Sequence, residues 1–83
     1  MHEIFDRGIT KKYSRRFGEI AVNFGYIAPE QLKAALSEQV DDEVSGNPHR
    51  VIGSIFFEKG LMTYQDIEKV LRELFKEINT DGP

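Results

Sequence analysis

The sequence predicts an all-α fold, a small bundle of about four helices made from two helix–Gly–helix repeats. Three observations carry this expectation. Glycines and apolar residues recur at one fixed offset, apolar residues around them fall at helical spacing, and the chain has no cysteine and no long apolar run.

The offset is 35 residues: it relates Gly18 to Gly53, Gly25 to Gly60, Ile20 to Ile55 and Leu36 to Leu71. The same spacing pairs Phe17 with Ile52, Val22 with Phe57, Ile27 with Met62 and Leu32 with Ile67. Segments 17–39 and 52–74 therefore read as two copies of one unit.

In the first copy Tyr13, Phe17, Ile20, Ala21 and Phe24 make one apolar helix face. Gly25 follows as a C-terminal cap, because a residue without Cβ enters the left-handed region without penalty. The next helix is expected after Ala28, with Pro29 at its first position, where a missing N–H does no harm. Leu32, Ala35, Leu36 and Val40 give its buried stripe. Asp41, Asp42 and Glu43 close it poorly, since negative charge opposes the dipole at a helix C-terminus, and fraying is expected there.

The second copy repeats the plan. Ile52, Ile55 and Phe56 form the apolar face and Gly60 ends the helix. Thr63-Tyr64-Gln65-Asp66 resembles a capping box, with Asp66 in place of the usual longer acid. Ile67, Val70, Leu71, Leu74, Phe75 and Ile78 complete the most amphipathic helix of the chain. The expected organisation is a lead-in over 1–12 and a single helical domain over 13–78. Within the domain lie repeat one at 16–39, a linker at 40–50 containing Ser45-Gly46-Asn47-Pro48, and repeat two at 51–74 with a helix extension. A frayed tail at 79–83 follows. Ile4, Phe5 and Ile9 in the lead-in fit either a short helix or an extended segment.

With 83 residues, 40% of them hydrophobic, the chain supports one modest core. Lacking cysteine, it has no disulfide and no thiolate metal site, and this usage suits a reducing, cytoplasmic setting. The first residues have no apolar core of a signal peptide, and no run approaches the roughly 20 residues of a membrane span. The formal net charge of −3 makes nucleic acid an unlikely partner. Lys33 is the only basic residue on the second helix, where a DNA-reading helix would need several. Charge is uneven, with Arg7, Lys11, Lys12, Arg15 and Arg16 clustered early. These residues are either solvated surface or a contact for an anion.

A search for chemistry finds little. Ser14, Ser37, Ser45 and Ser54 sit in no nucleophile elbow, and His2 and His49 lie at a terminus and beside a linker proline. No phosphate-cradling G-x-x-x-x-G-K-[ST] loop occurs. The chain is therefore expected to be no enzyme, to carry no cofactor and to hold no metal.

The stretch from Arg16 to Gln39 resembles the repeated motif in the N-terminal domain of type II secretion and type IV pilus assembly ATPases. Arg16, Gly18, Gly25, Ile27, Leu32, Ala35, Leu36 and Gln39 match it, with Phe17 and Val22 as apolar variants. The second copy keeps Gly53, Gly60, Met62, Ile67 and Leu71. The resemblance implies a non-catalytic interaction or regulatory module that docks onto a protein of a secretion, pilus or signalling assembly, through the basic Arg7–Arg16 segment or an uncovered apolar residue such as Phe57 or Tyr26. In one branch of that family the paired motifs bind cyclic di-GMP. A site of that kind would use Arg16, Phe17, Gly18, Gln39 and Gly53. Arg16 would meet a guanine edge, Phe17 the purine face, and Gln39 would supply an amide hydrogen bond. The second copy departs from that pattern. Val51 stands where the motif has Arg, Leu74 stands where it has Gln, and the linker is longer. Arg50 is adjacent, but a one-residue shift along a helix turns a side chain by about 100°. The same residues also have a purely structural reading: Gly18 as a close helix contact, Gly25 and Gly60 as caps, Phe17 and Ile52 as core, Arg16 and Gln39 as surface.

Overall fold

In a computed structural model the described residues form four helices, α1 (Arg7–Asn23), α2 (Pro29–Ser45), α3 (Ile52–Glu58) and α4 (Tyr64–Asp81). The structure describes residues 7–48 and 50–81, with side chains over 13–48 and 50–77. No strand occurs among the described residues. The fold is thus the all-α four-helix arrangement expected from the repeat.

The duplication holds at the helix ends and their glycine caps. The Asn23 end of α1 and the Glu58 end of α3 are 35 residues apart, as are the Pro29 and Tyr64 starts of α2 and α4. Both first helices end in the same cap. Gly25 (φ 83°) and Gly60 (φ 75°) adopt the left-handed conformation. The N–H of Tyr26 donates to the Ala21 carbonyl and that of Leu61 to the Phe56 carbonyl, each at 2.9 Å. These bonds satisfy carbonyls that the helix end would otherwise leave unpaired.

The starts of the second helices differ. At α4 the capping box is complete: Thr63 N–H donates to Asp66 Oδ2 at 3.0 Å, and Asp66 N–H donates to Thr63 Oγ1 at 3.1 Å. At α2 Ala28 has no side-chain acceptor, so only one arm forms, from Ala28 N–H to Gln31 Oε1 at 2.7 Å. Pro29 at the first helical position offsets this, having no amide hydrogen to satisfy.

The core lies where the copies face each other. Phe17 and Ile52, Ile20 and Ile55, Ala21 and Phe56, Ile27 and Met62, and Ala35 and Val70 are buried in corresponding pairs. The Phe17 and Phe56 rings stack across the copies, with centroids 6.4 Å apart. Neither copy buries its apolar face without the other.

Several elements run beyond their expected limits. Helix α1 begins at Arg7, so residues 7–12 of the predicted lead-in are helical backbone, and Ile4 and Phe5 lie outside the described residues. Helix α4 runs to Asp81, into the predicted tail. Helix α2 continues past the acidic knot to Ser45, well inside the predicted linker. Two contacts explain that continuation: Asp42 is buried against Arg50, and its carbonyl accepts from Asn47 N–H at 2.8 Å. The stripe on α2 also differs. It continues through Gln39 and Asp42, both buried, while Val40 is about half exposed. On the other apolar faces Tyr13, Phe24 and Phe75 are exposed, and the side chain of Ile78 lies outside the described residues.

Candidate functional site

The polar ends of the motif are both committed to contacts within the fold. Arg16 on α1 grips Glu77 on α4 with two parallel bonds, Nε to Oε1 at 2.7 Å and Nη2 to Oε2 at 2.5 Å. Its Nη1 donates to Glu19 at 3.2 Å. A planar guanidinium matches a carboxylate in this forked way. Through these hydrogen bonds, Glu77 first, the arginine is held more firmly protonated than usual, and the Glu77 carboxyl is held below the ordinary glutamate range.

Arg50 makes the reciprocal brace. Its Nε donates to Asp42 Oδ2 at 2.9 Å, and Asp42 stands 35 residues before Glu77. It also reaches Glu58 at 3.1 Å and Glu38 at 3.2 Å, and Glu38 pairs with Lys59, whose hydrogen bond lowers the Glu38 carboxyl from its usual range. Helical rotation, expected from the sequence to turn Arg50 away, does not govern its direction. Arg50 precedes the helix, where Val51 is an extended N-cap with ψ 153°, and is not itself a helical position.

Gln39 is buried, not surface. Its Nε2 donates to Ser14 Oγ at 3.2 Å and to the Arg50 carbonyl at 3.0 Å, tying α1 and the linker to α2. Gly18 makes the close helix contact that its structural reading expects: a Cβ there would overlap Leu32 Cδ1. Gly53 is roomier, since a Cβ added there would meet Phe17 at 3.5 Å and Ile67 at 3.7 Å.

Of the five residues implied for a ligand site, Phe17 and Gly53 share one concave surface. That surface is an open groove of about 870 Å³ across α1, α3 and α4. Its floor is Phe17, Ile52 and Gly53, and its walls include Ile67, Leu71 and Leu74. Tyr13, Val51, Phe57 and Tyr64 also line it, and the last three are 56%, 55% and 69% exposed. Arg16, Gly18 and Gln39 do not line it. Gln39 touches it only through Ser14, whose hydroxyl it bonds.

Phe57 is legible in the sequence as an uncovered apolar residue, whereas Tyr26 is half-buried and packs edge-on against Phe24 at 5.9 Å. Val51, Ser54 and Tyr64 carry no such local signal. What finds them is the repeat itself, since they occupy the positions of Arg16, Glu19 and Pro29 in the first copy. The side chains of Arg7, Lys11 and Lys12, and both histidines, lie outside the described residues.

Among the described residues no group of histidine, aspartate or glutamate is arranged to hold a metal ion, and no helix is long and apolar enough to cross a membrane. No family model matches the chain, and neither does any curated protein or solved structure. The likeness to the secretion and pilus ATPase domain therefore rests on the motif residues of the two copies alone.

Proposed function

We propose that this chain is a non-catalytic interaction module that docks a protein partner in the groove across α1, α3 and α4. One observation carries the reading. The groove exposes Val51, Phe57 and Tyr64 together on one face, and an apolar patch with exposed aromatics is the usual anchor of a protein interface. The motif resemblance supports placing that partner in a bacterial secretion, pilus or signalling assembly. Groove residues, rather than the Arg16 end of the motif, carry the contact.

The test is capture from the source bacterium with the chain and with a Phe57→Ser variant, in parallel. A component of such an assembly retained by the first and lost by the second is expected. Retention by both, or by neither, would overturn the reading. Cyclic di-GMP is the competing ligand, and the residues it needs are already engaged: Arg16 by Glu77 and Glu19, Gln39 by Ser14 and the Arg50 carbonyl. Calorimetry with the nucleotide is expected to give no heat, and Arg16-dependent heat would restore the sensor reading.

A further inference from the structure

The groove has a chemical preference as well as a shape. Among its described lining residues one side chain is charged, and it is an acid, Glu58. The rings of Tyr13, Phe57 and Tyr64 line the same groove, and their π faces favour a cation over an anion. The other polar side chains of the lining, apart from the tyrosine hydroxyls, are the uncharged Ser14 and Ser54.

Arg50 does not cancel the charge of Glu58. Its guanidinium is shared among Asp42, Glu38 and Glu58, and Lys59 pairs with Glu38. These three acids and two bases leave a formal surplus of one negative charge beside the groove. Asp42 is the most buried of the three and meets Arg50 through both oxygens. Glu58 is the most exposed, and Arg50 reaches it at Oε1.

From this charge complementarity, and resting on the docking reading above, we infer the chemistry of the partner. The groove takes a segment whose apolar side chains fill the space over Gly53 and whose lysine or arginine reaches Glu58. An acidic segment with the same apolar residues is rejected, because like charges meet at the rim.

The probes are three short synthetic peptides with one shared leucine stripe, flanked by lysine, glutamine or glutamate. They are titrated at low salt into the isotopically labelled chain and followed by NMR. The lysine peptide is expected to bind about two- to fivefold more tightly than the glutamine one, the scale of one exposed ion pair, and the glutamate peptide more weakly than both. Shifts should concentrate at Tyr13, Val51, Phe57 and Tyr64. Glu58→Gln should erase the preference and Glu58→Lys should invert it. Both variants should stay folded by circular dichroism, since Arg50 keeps Asp42 and Glu38. Added salt should narrow the preference, as expected for an exposed charge.

Equal affinity for the three peptides at the groove would overturn the charge preference and leave the docking reading standing. Shifts centred on Asp41 and the rest of the acidic end of α2 would mean simple attraction to an acidic protein, and would overturn it too. Groove shifts on diluting the chain alone would identify a second copy as the occupant, against this inference. The docking reading fails by a different result, a captured partner indifferent to Phe57→Ser.

Discussion

The two copies share helix ends, glycine caps and buried positions and differ in what they show to solvent. At the equivalent positions of the repeat the first copy carries Arg16, Glu19 and Pro29, and the second carries Val51, Ser54 and Tyr64. The first therefore presents an ion pair to the other copy, while the second presents an apolar groove. The buried pairs beneath them are matched, from Phe17 and Ile52 to Ala35 and Val70. Because the first copy folds with polar side chains at these sites, the fold does not demand apolar ones there. The apolar surface of the second copy is therefore not required by the fold, and the docking proposal assigns it to a partner.

Making the copies more alike tests this contrast, and the largest effect should come from Gln39→Leu. Leu74 occupies the equivalent place in the second copy and is buried there, so the repeat accepts a leucine at this position in that copy. In the first copy, however, the change strips a buried donor from the Ser14 hydroxyl and the Arg50 carbonyl. Leaving such groups unpaired costs about 1–3 kcal/mol. Urea denaturation should show that loss. A neutral or stabilising result would mean that Gln39 is not the tie between α1, α2 and the linker.

A smaller contrast separates the two motif glycines. Alanine at Gly18 drives a methyl into Leu32, and overpacking of this kind costs about 1–3 kcal/mol, offset by up to about 1 kcal/mol from better helix propensity. At Gly53 the added methyl meets only ordinary contacts, so Gly53→Ala should be neutral or gain up to about 1 kcal/mol. Thermal unfolding of the two variants side by side reads the difference. Equal effects would mean that Leu32 swings aside without cost, and that the two glycine sites are packed alike.

Much of the helical frame is legible in the sequence because its signals are local. A cap glycine, a proline at a helix start and the Thr63–Asp66 box each act within a few residues. The 35-residue offset then multiplies each local signal by two. Helix ends that depend on tertiary partners are not legible: α2 outlasts its acidic knot because Arg50, at the far end of the linker, meets Asp42. The buried stripe of α2 departs from expectation at Val40 for a related reason. Gln39 is polar, and only its partners on α1 and in the linker make its burial tolerable. Arg16 has a chemical identity visible in sequence, but its engagement with Glu77 joins residues 61 positions apart. The groove is the least legible feature, because its walls come from three helices. Comparing the two copies position by position nonetheless flags Val51 and Tyr64.

The smallest effect concerns the two reciprocal braces and their response to acid. Glu77 in one brace and Glu38 beside the other are both held below the usual carboxylate range, by Arg16 and by Lys59 respectively. A carboxyl lowered in the folded state stabilises it at pH above the unfolded glutamate value of about 4.3, and that contribution disappears as pH falls through the lower folded value. The chain should therefore lose stability on acidification below about pH 5. Glu77→Gln and Glu38→Gln should each flatten part of that loss while lowering stability at neutral pH. Both carboxylates are partly solvated, so each change should be modest. Urea midpoints measured at neutral and acidic pH for the chain and both variants compare the braces directly. If the copies are held together symmetrically, the two variants should flatten the profile alike. A response confined to Glu77→Gln would show that the α1–α4 brace carries the coupling between copies, and that the duplication is uneven in its scaffold as well as in its surface.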